Sequence, residues 1–296
     1  MFFIIGSARS GTTLLRMMLN AHPEVAVPPE SRFVVELYGG DRVVIDEFLA
    51  QLGRHQRWTS WDTSMEDVRA QIGDRTSAPY TEAIEAAYRA FALARGKSRF
   101  GDKTPRYIEH IPLLARLWPS ARFVHLVRDG REVALSYADV PFGPKTVAKA
   151  AALWSDRVST GLAAGRPLGR DHYLELRYEQ LLTNSREQVQ TLCRFLDLDF
   201  NPAMLDYAER SGDEVLERAR LYNPNVTRKL SRTRSWTEMP SAQVEVFEAI
   251  AGETLSALGY ERSFPRPGVA ARAAAAAGRA GLPVGKLRPT RAGAAG

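Results

Sequence analysis

The chain opens on an apolar run, Phe2 to Ile5, which breaks into Gly6-Ser7-Ala8-Arg9-Ser10-Gly11-Thr12-Thr13 and resumes as Leu14, Leu15 and further apolar positions to Ala21. This pattern predicts a strand, a turn of small and hydroxylated residues, and a helix stopped near Pro23. It recurs at Arg122 to Val127, an apolar strand, followed by the turn Arg128-Asp129-Gly130 and a helix over Arg131 to Tyr137. Val25 to Val27 reads as a short strand entering the turn Pro28-Pro29-Glu30, and Arg99 to Pro105 as a brief strand and loop. Ile84, Tyr88 and Phe91 have helical spacing behind a Thr81 cap, with Gly96 as the stop. Further helices are expected through Leu113, Leu114 and Trp118, from Lys145 to Leu162, from Ser185 to Leu196 with a Ser185/Gln188 capping box, and from Ser241 to Leu258 before Gly259. Tyr173 to Leu182 reads as a strand end feeding a short helix. Such alternation predicts an α/β fold, a parallel sheet with helices on both faces, whose ligands gather at the carboxyl edge of the strands.

Composition places one large domain over residues 1–265. With 296 residues, 45% of them hydrophobic, the chain can bury a full core. Residues 266–296 form a low-complexity basic tail, expected to be disordered because Ala270 to Ala277, Gly278, Gly281, Pro283, Gly285 and Pro289 offer little to pack. The formal charge of +6 is partly held there, on Arg266, Arg272, Arg279, Lys286, Arg288 and Arg291 with no acidic residue among them. The body is therefore close to neutral, and no nucleic-acid partner is indicated. A single cysteine, Cys193, excludes an intramolecular disulfide, and no Cys/His spacing suits a metal. The amino-terminal apolar run is already used as a strand and resembles neither a signal peptide nor a membrane anchor, so a cytoplasmic protein is expected.

The first turn carries the candidate chemistry. Backbone N–H groups of a glycine-rich turn and the free N–H groups of the following helix start hold an anion, favoured by the helix dipole. The interval from Gly6 to Gly11 is that of the triphosphate-binding loop G-x-x-x-x-G-K-[ST], but Thr12 stands where its lysine would be and Arg9 lies inside the loop. That arrangement suits a shorter anion than the polyphosphate of ATP. In the second turn, Arg128 supplies a planar donor fork, and Ser136, eight residues on, a hydroxyl, a pair suited to a terminal phosphate.

Together these segments resemble the sulfotransferases that use 3′-phosphoadenosine-5′-phosphosulfate (PAPS). Their phosphosulfate loop carries [KR]-S-G-T-T after the first strand, here Arg9, Ser10, Gly11, Thr12 and Thr13. Val127-Arg128-Asp129-Gly130-Arg131 through Ser136 matches their 3′-phosphate site without a gap, and Arg177-Tyr178-Glu179 resembles their R-Y-E-D segment, which implies that Tyr178 faces the cofactor. The branch containing tyrosylprotein sulfotransferases and bacterial relatives is nearest, because Ala21-His22-Pro23-Glu24-Val25 and Glu30-Ser31-Arg32 follow the loop. The resemblance runs from Phe2 to about Tyr260, with nothing to align over residues 40–95. It implies a nucleotide-kinase-like three-layer architecture, PAPS as co-substrate, no metal, and Glu30 as the base.

Sulfuryl transfer needs a base on the acceptor side and cations on the bridging and sulfuryl oxygens. Arg9 and Lys103 are the expected cations, since both lie in loops following strands and Asp102-Lys103-Thr104-Pro105 resembles the K-[TD]-P element of this branch. His22, ahead of Pro23, and His125, inside an apolar strand, read as structural. The basic stretch Arg228 to Arg234, ahead of Trp236, resembles the family's loop over the 3′-phosphate, with Lys229 as the expected contact. Tyr38, Phe48, Trp58, Trp61 and Tyr80 would give an aromatic roof to a phenolic, glycan, lipid or peptide acceptor. Two alternatives stay open: an ATP-dependent phosphotransferase, and a non-catalytic binder of nucleotide bisphosphates.

Overall fold

The computed structural model describes residues 1–207 and 235–288. Four strands, β1 (Phe2–Ile5), β6 (Asp102–Lys103), β7 (Arg122–Val127) and β8 (Tyr173–Arg177), form a parallel sheet in the order β6-β1-β7-β8. Strand β1 is apolar throughout because it is paired on both sides and covered on both faces. Alternation sends Phe3, Ile5 and Phe123 into one apolar layer and Phe2, Ile4, Val124 and Leu126 into the other. The first layer is completed by α5 (Tyr80–Leu93) and α6 (Ile111–Leu117), the second by α1 (Thr12–Asn20), α9 (Tyr178–Thr183) and α10 (Ser185–Phe195). A third cluster joins Val127 to α7 (Gly130–Ala138), α8 (Val147–Gly165) and α11 (Ser241–Ala257), with Trp154 and Phe247 buried between them.

Several expectations are corrected. The strand at Val25 is β2 (Val25–Ala26), which pairs with β5 (Arg99–Phe100) in a two-stranded ladder apart from the central sheet. Helix α5 begins at Tyr80 behind Pro79, leaving Thr81 inside its first turn instead of at the cap. No capping box starts α10: the Ser185 hydroxyl donates to the Leu181 carbonyl at 2.8 Å, because the preceding helix ends where α10 begins.

The segment before β5 makes its own small layer from α2 (Phe33–Glu36), α3 (Ile45–Arg54), α4 (Met65–Ile72) and the antiparallel pair of β3 (Arg42–Val44) with β4 (Ser77–Pro79). Four of the five expected roof residues are core instead, while Tyr38 is half-buried and its hydroxyl bonds Asp41 and Arg116. Trp61, Tyr80, Phe48 and Trp58 are buried, with Trp61 tilted against Phe33 at 5.0 Å and edge-on to Tyr88 at 4.8 Å.

The largest correction concerns the carboxyl-terminal segment, where Val269–Arg279 is a helix, α12, packed on α8 and α11. Small residues make this contact possible instead of preventing it. Ala271 and Ala275 are buried, and Gly278 lies so near α8 that a Cβ there would meet the Ala148 Cβ at 2.3 Å. Beyond it the chain bonds back to the start of α8, with Val147 N–H donating to Gly285 O at 2.7 Å and Leu287 N–H to Lys145 O at 3.0 Å. Replacing Gly278 with leucine is expected to lower stability by about 1–3 kcal/mol, the cost of overpacking a filled contact. Chemical denaturation would show this as a lower midpoint.

Candidate functional site

The loop between β1 and α1 is shaped by two close approaches. A Cβ on Gly6 would lie 2.6 Å from the Leu126 carbonyl oxygen, and one on Gly11, whose φ is +94°, would lie 2.4 Å from the Tyr178 ring. Gly11 caps α1 without a side-chain hydrogen bond, so the N–H groups of the first turn have no side-chain acceptor. Arg9 also holds a left-handed backbone, φ 72°. Ser10 and Thr12 are buried, Thr13 is half-buried, and among the described residues the Ser10 Oγ meets no hydrogen-bond partner. A buried hydroxyl left in this state is what an anion in the cradle would satisfy.

Arg9 and Arg128 converge at this loop. The Arg9 Nε donates to the Ser136 Oγ at 3.0 Å, and the Arg128 guanidinium donates to the Arg9 carbonyl at 3.3 Å. Burial, then the nearby charge of Arg128, lowers the Arg9 pKa. Two cations held together in a partly dry site are stabilised by an anion between them. Tyr178 is a wedge: its ring packs against Gly11 on one side and carries the Arg128 guanidinium 4.5 Å from its centroid. Arg128 is not waiting free, since its Nη2 lies 3.2 Å from Glu132 Oε2 in a buried ion pair. Arg131 fixes the turn from beneath through Asp129 and Glu248, both at 2.7 Å, and stacks on Trp236 at 3.8 Å. Lys229 and the rest of residues 228–234 lie outside the described residues.

On the other flank of β1, Lys103 and Glu30 meet, Nζ to Oε1, at 2.9 Å. Burial would raise the Glu30 pKa, but the Lys103 charge and hydrogen bond, helped by Arg57 and Arg32, outweigh it and hold the carboxyl below its usual range. Burial lowers the Lys103 pKa, with Glu30 acting against the shift and Arg16 adding to it. The two segments carrying this pair are tied together underneath. Ser31 N–H donates to Thr104 Oγ1 at 3.1 Å, the Ser31 and Tyr107 hydroxyls lie 2.7 Å apart, and Tyr88 OH donates to Asp102 Oδ2 at 2.5 Å.

His22 and His125 are otherwise engaged. His22 Nε2 lies 2.9 Å from Asp199 O and its Nδ1 accepts from Glu24 N–H, while His125 bonds to Tyr173 OH, with its pKa pushed down by burial to about 4.

Three residues near the site were not singled out from sequence. Glu132 could have been read, being four residues after Arg128 on one helix and thus within pairing reach. Arg16 could also have been read, as it lies one turn below Thr12 on the same face of α1. Arg57 carries no such signal, because only the folding of the α3 region brings it toward Glu30.

The chain is similar to known proteins. The sulfotransferase family matches residues 2–202. A protein-tyrosine sulfotransferase of Drosophila melanogaster is 27% identical over 288 residues, covering 88% of this chain and 52% of the relative. The nodulation protein NoeE of Sinorhizobium fredii is 30% identical over 292 residues, covering 88% of this chain and 66% of the relative. The chain thus spans between half and two thirds of the length of these relatives. Among solved structures, the sulfotransferase domain of the Synechococcus PCC 7002 olefin synthase superposes with a TM-score of 0.59 at 23% identity, covering 88% of this chain and 94% of that one. The sulfotransferase domain from the curacin biosynthetic pathway gives 0.56 at 18% identity, covering 88% and 98%. At these identities the structures speak for the fold.

Proposed function

Since the chain belongs to the sulfotransferase family, we propose that it moves a sulfuryl group from PAPS to a hydroxyl or amine of an acceptor, with Glu30 as the base. The observation that carries this reading is placement. The Glu30–Lys103 pair and the Arg9–Ser136–Arg128 group stand at the carboxyl ends of β6 and β7, the two strands that flank β1 and its cradle. PAPS supplies an activated sulfuryl group on a phosphate leaving group. Ser10, Gly11, Thr12 and Thr13 would hold its 5′ end at the helix start, and Arg128 with Ser136 would read the 3′-phosphate. Arg9 and Lys103 would balance charge on the sulfuryl and bridging oxygens, while Glu30 accepts the acceptor's proton. Lys229 remains part of the proposal for the 3′-phosphate.

The acceptor is proposed as a hydroxyl on a phenol, glycan, lipid or peptide, consistent with a relative named for protein tyrosine. A cytoplasmic setting is proposed too, since a single buried cysteine leaves the fold with no disulfide to form. Among the described residues no helix is long and apolar enough to cross a membrane.

Two measurements test the reading. Isothermal titration should find binding of adenosine 3′,5′-bisphosphate that excess ATP does not displace, and labelled PAPS should pass its sulfate to one acceptor class in a screen. Magnesium-dependent transfer of phosphate from ATP would overturn the assignment. Arg128→Ala, made together with Glu132→Gln so that no carboxylate is left buried without its partner, is expected to weaken adenosine 3′,5′-bisphosphate by about 1.5–3 kcal/mol relative to Glu132→Gln alone. Adenosine 5′-monophosphate should change much less, and equal losses would remove Arg128 from the 3′-phosphate.

A further inference from the structure

Lys103 stands on a slender support. Strand β6 is two residues long and lies at the edge of the central sheet, paired with β1 through Phe3 opposite Asp102 and Ile4 opposite Lys103. Short, sparsely paired segments are the first to open. Yet the ammonium carried here has to meet both Glu30 and the neighbouring cradle.

Asp102, the other residue of β6, leaves the strand on the face opposite to Lys103. It is fully buried, Tyr88 OH of α5 donates to its Oδ2 at 2.5 Å, and its Oδ1 meets no hydrogen-bond partner among the described residues. A carboxylate in that place is costly, and an apolar side chain would fill the layer without the cost. What the carboxylate adds is a short, directed bond of the charge-assisted kind. Burial raises its pKa to about 6, against the pull of the Tyr88, Ser31 and Thr104 hydroxyls and of the Lys103 charge, so it is largely ionised at neutral pH. Tyr88 keeps its proton to donate, since burial and then the Asp102 charge push its pKa well up. Its ring is held in place, stacked on Phe100 at 5.9 Å and edge-on to Trp61 at 4.8 Å.

We propose that Asp102 is a positioning residue for Lys103, fastening the strand end to α5 through Tyr88 so that the ammonium stays within reach of Glu30 and the cradle. The residues around β6 are fixed with the same care. Gly101 lies flush on Phe2, whose ring a Cβ would strike. Thr104 Oγ1 accepts from Ser31 N–H, next to Glu30, at 3.1 Å, and Pro105 O accepts from the N–H of Gly6, the first glycine of the cradle, at 3.2 Å. These contacts align the strand with the loop of Glu30 and with the cradle, and the Asp102–Tyr88 bond adds the tie to a core helix. The role rests on the reading of Lys103 as a cation on the sulfuryl donor.

The test is a mutant cycle read in kcat, with labelled sulfate passed from PAPS to the acceptor found by screening. Asp102→Ala and Tyr88→Phe cut the same bond from its two sides, and each should lower kcat by about 10–10²-fold, the cost of displacing a reacting group by about an ångström. Affinity for adenosine 3′,5′-bisphosphate, which carries no sulfuryl group, should stay as in the wild type. Asp102→Asn still accepts from Tyr88 and should restore most of the turnover. In the Lys103→Met background, either Asp102→Ala or Tyr88→Phe should cost no more than about twofold, the scatter between independent sites. A merely structural role predicts the same loss with or without Lys103, and that result would overturn the proposal. Wild-type kcat in Tyr88→Phe would overturn it too, and this variant decides the matter if Asp102→Ala fails to fold. Undiminished turnover in Lys103→Met would overturn the role together with the reading of Lys103 beneath it. A loss in Lys103→Met with none in Asp102→Ala or Tyr88→Phe would overturn the role alone.

Discussion

Glu30→Gln is expected to lower turnover by roughly 10²–10⁴-fold, the span attached to loss of a positioned general base, with adenosine 3′,5′-bisphosphate binding nearly intact. The amide keeps the size of the side chain and can still meet Lys103 across the 2.9 Å contact, so the fold should not confound the result. The pH profile adds a sign. A carboxyl whose pKa is held below the usual range stays ionised through mild acid, so kcat/KM of the wild type, which reports the free enzyme, should hold level down to the ordinary carboxylate range and fall beneath it. Labelled-sulfate transfer to the acceptor found by screening would measure both. A Glu30→Gln enzyme that turned over like the wild type at every pH would move the base elsewhere, with His110 the next residue to test.

Lys103→Met should cost about 10²–10³-fold in turnover, the usual effect of losing one group that stabilises developing charge. It carries a second signature. Burial is the largest influence on the Glu30 carboxyl, and Lys103 is the first of the charges that overcome it. Removing that charge should move the acidic limb of kcat/KM to higher pH. If Lys103 has turned to the donor by the time chemistry occurs, the limb of kcat should move less. Equal movement of both limbs would mean that Lys103 stays on Glu30 throughout and is not the cation on the leaving group.

The middle of the central sheet was legible because β1 and β7 are largely apolar runs, and the cradle because a loop that binds an anion through its backbone needs glycines at set intervals, Gly6 and Gly11. The candidate site residues that could be read stand in or beside turns that follow strands: Arg9, Glu30, Lys103 and Arg128. What could not be read depends on distant segments meeting. Arg57 reaches Glu30 from a region with no motif, and the Tyr178 wedge against Gly11 joins residues far apart in the chain. The aromatic residues of 33–95 were misread because a tryptophan that fills a core and one that lines a pocket look the same in sequence. Only the ring contacts around Trp61 distinguish them. The caps at Thr81 and Ser185 failed for a more local reason: a competing residue or helix end, Pro79 in one case and Asn184 in the other, already held the position.

The docked carboxyl-terminal segment has a bearing on where this chain can be cut. Residues 269–288 look expendable by composition, yet they cover Ala148 and clasp the first turn of α8 through Gly285 and Leu287. Helix α7, which carries Ser136, leads by one short connection into that same turn. A truncation ending the chain at residue 265 would therefore uncover an apolar strip and unfasten the far end of the connection that follows α7, so under the proposed function its damage is expected to reach nucleotide binding as well as solubility. Among the described residues the packed unit reaches Leu287, well past the point where the sequence loses its complexity.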